Sequence, residues 1–418
     1  MTGKERIIVF ILAALNFTHI LDFIIMVPLS IYLMPYFNIS AFQFGILVAS
    51  YSVSAFFSGL IVALLVDRFD RKRSLILGYA GFLLSTIACG LASTYGLLLA
   101  SRILAGLFGG ILGAQVLSII ADLFTYERRG RAMGAVMSSF AVATVIGIPL
   151  SLYLTNLFHF NWHVPFLIIG SLGVVLIPFM IRFLPKMADH IQTGENISRF
   201  NALLKTMKVS IQRRALIFSC LFMLGHFLVI PFIPPYLEFN KGFTREQIPL
   251  ILLCGGIASF ASAIYLGRFS DKKGKLPVFL WSVFLSLFLV VILTNMPDMY
   301  LAVALGFFAI LFMVVTCRIV MAQAMISEVV TQDQRGSFMS INGSVQQLGQ
   351  GLASFAAGII IHTDKTTHRM YNYNWVGYCS VAVLLISMVL GHTIFKTIDK
   401  TEVRAEPKQI FQEVEITD

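Results

Sequence analysis

Twelve runs of apolar residues, most of them about twenty residues or longer, constrain this chain more than any other feature of it. They extend from Ile7 to Met34, Ala41 to Val66, Ser74 to Ala92, Gly96 to Ala121, Ala132 to Leu157 and Val164 to Leu184. After a polar stretch they resume from Ala215 to Leu237, Ile248 to Leu266, Leu276 to Met296, Leu301 to Ile326, Ser337 to Ile361 and Trp375 to Phe395. A backbone placed in hydrocarbon must satisfy its own hydrogen bonds, so each run is expected to be a membrane-spanning helix. With 418 residues, 57% hydrophobic and only 12% charged, the chain is unlike a soluble domain and has little length left for one. The first run is too long for a signal-peptide core and lacks a small-residue cleavage site, so it reads as the first span.

An even number of spans puts both termini on one side, and the basic residues test that placement. On the terminus side lie Lys4, Arg6, Arg68, Arg71, Lys72, Arg73, Arg128, Arg129 and Arg131, then seven in the central loop. Arg268, Lys272, Lys273, Lys275, Arg335, Lys396, Lys400, Arg404 and Lys408 follow on the same side, against only Lys241, Arg245, Lys365 and Arg369 opposite. Positive charge stays inside, so the termini and the central loop are expected in the cytoplasm. The formal charge of +10 is then a matter of topology rather than of nucleic-acid binding. The expected organisation is a six-helix bundle over 1–184, a cytoplasmic linker over 185–214, a second bundle over 215–397 and a cytoplasmic tail over 398–418. Cys89, Cys220, Cys254, Cys317 and Cys379 fall singly in apolar stretches without metal-ligand spacing and read as packing.

The halves repeat at an offset of roughly 205 residues. Asp67-Arg68-Phe69-Asp70-Arg71-Lys72 after the second run answers Phe269-Ser270-Asp271-Lys272-Lys273-Gly274-Lys275 after the eighth. Asp122 with Arg129-Gly130 after the fourth answers Glu328 with Arg335-Gly336 after the tenth.

These loops resemble the signature motifs of the major facilitator superfamily, in particular the bacterial twelve-span drug:proton antiporters, over nearly the whole chain. The family pattern Gly-x-Leu-x-Asp-Arg-x-Gly-Arg-Arg appears here as Ala63-Leu64-Leu65-Val66-Asp67-Arg68-Phe69-Asp70-Arg71-Lys72, with both glycines replaced; the second copy keeps Gly267, Asp271 and Gly274. The resemblance implies an all-α polytopic fold of two six-helix halves in the bacterial inner membrane, and a conformational switch carried by Asp67, Arg68, Arg71, Asp122, Arg131, Asp271, Glu328 and Arg335. A carboxylate such as Asp67 can sit against the positive end of a neighbouring helix, an interaction worth about 0.3 to 1 kcal/mol. Gly147-Ile148-Pro149 in the fifth run is similar to the Gly-Pro antiporter motif found mainly in exporters, while a packing kink explains the same residues.

An ionisable side chain at the bilayer centre costs about 2.5 to 3.5 kcal/mol on insertion scales, which singles out Asp22 and Arg102. Arg102, with Gly106, resembles the family's Arg-x-x-x-Gly motif. Asp22 lies ~18 Å and Arg102 ~9 Å from the outer ends of their runs, close enough for the arginine stem to span most of the gap. Asp22, Arg102 and His19, one turn before Asp22, are the expected proton-coupling group. Arg318 lies nearer the cytoplasmic end of its run, able to reach the interface or to meet an anionic substrate group. Expected cavity residues are Tyr51, Gln115, His226, Asn342, Gln346 and Gln350, an amide-rich lining suited to an uncharged or weakly polar substrate. Phe23, Met26, Phe140, Tyr236 and Met313 are expected with Arg318 around them.

The function expected is proton-coupled efflux of a small organic molecule by alternating access. The proton is the only coupling species, with no metal or other cofactor; the partners are substrate and lipid, with no nucleic acid, and the state is monomeric. A proton-coupled importer of a nutrient or siderophore shares the fold and Asp22 and stays open. An intramembrane enzyme is the remote alternative, since the chain has no His-Glu-x-x-His, Gly-x-Ser-x-Gly or phosphate loop.

Overall fold

A computed structural model of the chain describes residues 2–65, 70–124, 126–185, 209–330 and 335–405. The first half holds six spans: Gly3–Ile25 continued by Ser30–Phe37, Ala41–Leu65, Arg71–Gly90, Tyr95–Leu123, Tyr126–Val142 continued by Ile148–Leu157, and His163–Phe183. The second half begins with Ser210–Phe227, which continues through short turns to Asn240, followed by Gln247–Lys273, Lys275–Thr294, Leu301–Ser327, Arg335–Ile360 and Tyr373–Ala405. Among the described residues eleven of these stretches are long and apolar enough to cross a membrane. The exception is the eleventh span, whose 26 residues include Ser340, Asn342, Ser344, Gln346, Gln347 and Gln350. Its polar groups are accommodated by protein instead of lipid: Asn342 and Ser354 are buried, and the span packs along the second span. A Cβ added at Gly45 would meet the Ser354 carbonyl oxygen at 2.6 Å, so the two backbones are nearly in contact there.

Two spans expected to be continuous are interrupted. The first breaks after Ile25, just before Pro28, and the seventh breaks after Phe227, ahead of Pro231, Pro234 and Pro235. Proline has no N–H to donate and its ring crowds the preceding turn, so helical bonding lapses at both places. The breaks sit at matching points of the sequence repeat. A short ribbon, His362–Thr363 paired with Met370–Tyr371, joins the last two spans on the face away from the termini. Its turn is held by Asp364, which accepts from the Thr366 and Thr367 amides; these bonds hold the carboxyl below the usual carboxylate range.

Three apolar cores show how the halves meet. One belongs to the first half alone, from Val9 and Leu12 to Phe124 and Val136; a second belongs to the other half, from Phe218 and Phe279 to Ile341 and Phe395. The third takes residues from both, among them Met34, Phe44 and Trp162 with Phe232, Leu293 and Tyr373, and lies away from the termini. The molecule is fused at that end and parted toward the termini, except along the seam of spans two and eleven.

Candidate functional site: a central chamber and two buried arginines

Where the halves part, they enclose a chamber of about 380 Å³. Its wall is built from the two interrupted spans and their neighbours: Phe23, Val27 and Pro28 face Phe227, Ile230 and Pro234, with Met137 and Phe140 from span five, Gly256 and Phe260 from span eight, and Phe312 and Ile319 from span ten. Among the described residues, the only polar side chains on it are Thr144, His226, Ser259 and Thr316. The hydroxyls of Thr144 and Ser259 already donate to the carbonyls of Phe140 and Phe312. The wall is therefore apolar, which corrects the expectation of an amide-rich lining. Asn342, Gln346 and Gln350 belong to the eleventh span but not to this wall; Asn342 is buried and Gln350 leans on the Met223 sulfur.

The other expected lining residues divide cleanly. Phe23, Phe140 and His226 line the chamber. Met26 is buried in the shared core, Tyr236 packs on Tyr373 with ring centroids 4.6 Å apart, and Gln115 is buried away from the wall. Met313 is 38% exposed but lies off the wall. Tyr51 is fully buried one layer behind it, its ring 5.2 Å from that of Phe23.

Behind Tyr51 lies the pair singled out by its depth. Arg102 Nη1 donates to Asp22 Oδ2 at 2.9 Å and to the Asp22 carbonyl at 3.3 Å, and both side chains are fully buried. The guanidinium also stands 4.4 Å from the centroid of the Tyr51 ring. The glycines of span four create this approach: a Cβ at Gly106 would lie 2.3 Å from the Tyr51 carbonyl oxygen, so only glycine lets spans two and four close around the arginine. Asp22 Oδ1, Arg102 Nε and Nη2, and both ring nitrogens of His19 make no hydrogen bond of standard geometry. The site is thus buried, charged and incompletely satisfied. Phe23, Tyr51, Arg102 and Asp22 form a continuous path from the chamber wall to the carboxylate.

Span five carries a π turn over Ala143–Gly147 directly before Pro149. The proline removes one donor and the ladder slips by a residue, giving a kink where the span meets the chamber. Gly147 admits the side chain of Leu21, which a Cβ would meet at 2.7 Å, so span five packs closely on span one next to Asp22, while Thr144, Val145 and Ile148 face the chamber.

Arg318 does not reach for an interface. It is 1% exposed, donating to Ser286 Oγ at 2.8 Å and to His226 Nδ1 at 3.0 Å. Of the two expectations for it, the interface is ruled out: Ser286 on span nine and His226 on span seven hold it inside the bundle.

Asp67 and Arg68 lie outside the described residues, as do the side chains of Asp122 and Asp271. Arg71 is buried and donates to the Ser118 carbonyl at 3.1 Å, tying span three to span four. Asp70, which stands where the family pattern has glycine, caps span three by accepting from the Lys72 amide at 2.9 Å. In the second half the retained Gly274 adopts φ 88°, a conformation that favours glycine. Glu328 is ion-paired with Lys275 within its own half. Arg131 and Arg335 are exposed.

Sequence reasoning missed the latch on the opposite face. Arg245 of the second half stacks on Tyr32 and Phe160 of the first, at 5.2 and 5.8 Å, and its Nη2 donates to the Ile31 carbonyl at 3.3 Å. Asn156 closes the ring, donating to the Arg245 carbonyl at 3.2 Å and accepting from the Tyr32 hydroxyl at 2.5 Å. The signal available in sequence was a pair of cations, Lys241 and Arg245, on the side where few basic residues fall.

Comparison with known proteins agrees with this architecture. The family model of the Major Facilitator Superfamily matches residues 11–224 and again residues 215–414. The uncharacterized MFS-type transporter YceJ of Bacillus subtilis is 23% identical over 379 residues, covering 90% of this chain and 93% of that protein. Multidrug resistance protein 2 of the same organism is 24% identical, covering 93% and 96% respectively. In fold, the chain is similar to a bacterial homolog of the human lysosomal transporter Spinster, solved in an inward-facing and unoccupied conformation, with a TM-score of 0.74, 14% identity and 96% and 98% of the two chains covered. Two matched halves, twelve helices and a chamber between them have one explanation: the chain is an integral membrane transporter, not an enzyme, and belongs to the major facilitator superfamily.

Proposed function

We propose that the chain exports a small organic molecule across the bacterial inner membrane in exchange for protons, working as a monomer with both termini in the cytoplasm. The observation that carries this reading is the placement of the buried Asp22–Arg102 pair one aromatic layer behind an apolar chamber. An apolar wall suits a molecule that partitions into membranes, the kind of compound that a cell expels. A carboxylate whose partner and hydration change as the halves rock binds a proton in one state and releases it in the other. The π turn before Pro149 and the similarity to a multidrug resistance protein of Bacillus subtilis and a probable sugar efflux transporter of Helicobacter acinonychis support the outward direction. Asp67 and its neighbours then bias the two conformations without touching substrate.

The test is expression in a strain stripped of its own efflux pumps, screened against a panel of apolar and amphipathic compounds. Tolerance to at least one compound should rise, and a protonophore should abolish the gain. Increased sensitivity, with protonophore-sensitive accumulation of the compound, would overturn export in favour of import.

A further inference from the structure

Arg318 is held in a way that leaves its charge unanswered. Among the described residues no carboxylate pairs with it, in contrast to Arg102. Its partners are a hydroxyl, an imidazole nitrogen and the ring of Phe222, whose centroid is 5.7 Å away; Nε has no hydrogen bond. A guanidinium cannot escape the problem by losing its proton within the bundle. Such a side chain is a buried donor waiting for an acceptor.

The space beside it sets what that acceptor is. Arg318, His226 and Ser380 line a recess of about 10 Å³, otherwise apolar, which shares His226, Ile230, Ile233, Phe312 and Val315 with the main chamber. That volume takes one group the size of a water molecule, such as a single oxygen, and is too small for a tetrahedral phosphate or sulfate. The recess also offers donors almost exclusively. Because Arg318 only donates, His226 Nδ1 accepts from it and Nε2 carries the ring hydrogen. The Ser380 hydroxyl is already committed to the Gly225 carbonyl at 2.5 Å.

We propose that this recess is a carboxylate site and that the transported molecule is therefore an amphipathic organic acid, with its apolar body in the chamber and one carboxylate oxygen against Arg318 and His226. The inference rests on the export reading for the direction of movement alone. It adds the substrate's charge, which the apolar chamber by itself does not specify. The bland role, in which Arg318 merely pins spans seven, nine and ten through His226 and Ser286, predicts no preference among ligands of one shape.

The experiment uses the full chain in lipid nanodiscs and calorimetry with three pairs of isosteres: 1-naphthylacetate, 4-phenylbutyrate and octanoate, each against its own carboxamide. At least one acid should bind about tenfold more tightly than its amide, the scale of one charge-assisted contact in a dry site. Arg318→Gln should weaken the acid to the level of the amide while leaving amide binding within about twofold, which also certifies the chamber as folded. Arg318→Lys should retain part of the gap; should the glutamine variant not fold, the double variant Arg318→Met with His226→Leu removes the charge together with its partner and should abolish the gap. The proposal is overturned if no acid outbinds its amide, or if the gap survives in a folded Arg318 variant that lacks the charge. Failure of the export reading is a separate result: the bound acid would then move inward with the proton in inverted and right-side-out vesicles, with the Arg318 gap intact.

Discussion

Two arginines lie deep in the bundle, Arg102 in the first half and Arg318 in the second, and they are treated differently. In the first half Arg102 meets Asp22 at 2.9 Å; in the second, Arg318 meets His226 at 3.0 Å. Asp22 and His226 occupy nearly matching places in the repeat, Asp22 three residues and His226 one residue before the last helical residue ahead of the break. Arg102 is thus answered by a carboxylate, whereas among the described residues Arg318 is not. Removing one member of a buried pair costs about 3 to 5 kcal/mol because the other is stranded, whereas a hydrogen bond to a charged group returns only about 1.5 to 3 kcal/mol. A carboxylate at position 226 would be the cheaper solution for stability. On the functions proposed above, its absence fits a division of labour in which one half holds an exchangeable proton and the other an open positive site.

The sharpest break of this comparison is Asp22→Asn. If Asp22 exchanges the proton, the variant keeps its shape, inserts, and exchanges substrate down a gradient, but proteoliposomes with an imposed pH difference should lose concentrative transport about a hundredfold. If the pair were only structural, the stranded Arg102 would destabilise the fold by about 3 to 5 kcal/mol and the protein would not accumulate. The double variant Asp22→Leu with Arg102→Met separates the two, since it removes charge without stranding any; it should fold and remain uncoupled. Full concentrative transport by a stable Asp22→Asn protein would end the coupling role.

Next in size is the transplant His226→Asp, which gives the second half the carboxylate of the first. Arg318 should then be internally neutralised. Thermal unfolding should hold or rise, while the preference for an organic acid over its amide, expected at about tenfold, should vanish. A variant that still prefers the acid would mean that Arg318 is not what distinguishes the halves.

How much of this could be read beforehand follows the same division. Asp22 and Arg102 stand out in sequence because an ionisable residue in an apolar run has few ways to be tolerated, and their depths from the span ends already brought them within reach. For Arg318 the sequence left the interface and the interior both open, because depth along a helix does not reveal which neighbours face it; Ser286 and His226, on two other spans, decided against the interface. The amides of span eleven show the same limit, since polarity announces that a helix meets something other than lipid, and here the partner is span two rather than the chamber. The broken spans were missed although Pro28, Pro231, Pro234 and Pro235 were visible, because apolar runs remain long when their helix is interrupted. Asp70 was a departure from a family pattern until the fold gave it a helix to cap.

The smallest effect expected concerns whether the two arginine sites answer to a single motion. Arg245 joins the halves on the face opposite the termini, but much of that contact survives its replacement: the Arg245 carbonyl still accepts from Asn156, and Tyr32 still donates to Asn156. Arg245→Gln removes the stacking on Tyr32 and Phe160 and the bond to the Ile31 carbonyl. Exposed cation–π contacts are worth about 0.5 to 1 kcal/mol, so the share of molecules open on that face should rise only about threefold to fivefold. Cysteines placed at Phe160 and at Lys365 would report opening to an impermeant thiol reagent in intact cells, which also tests the orientation of the termini. If the halves rock as units, the same few-fold shift should appear in the proton dependence set by Asp22 and in acid binding at Arg318, because one equilibrium governs both. A shift in one without the other would show that the two halves move separately, and the division of labour between them would then be a division of motion as well.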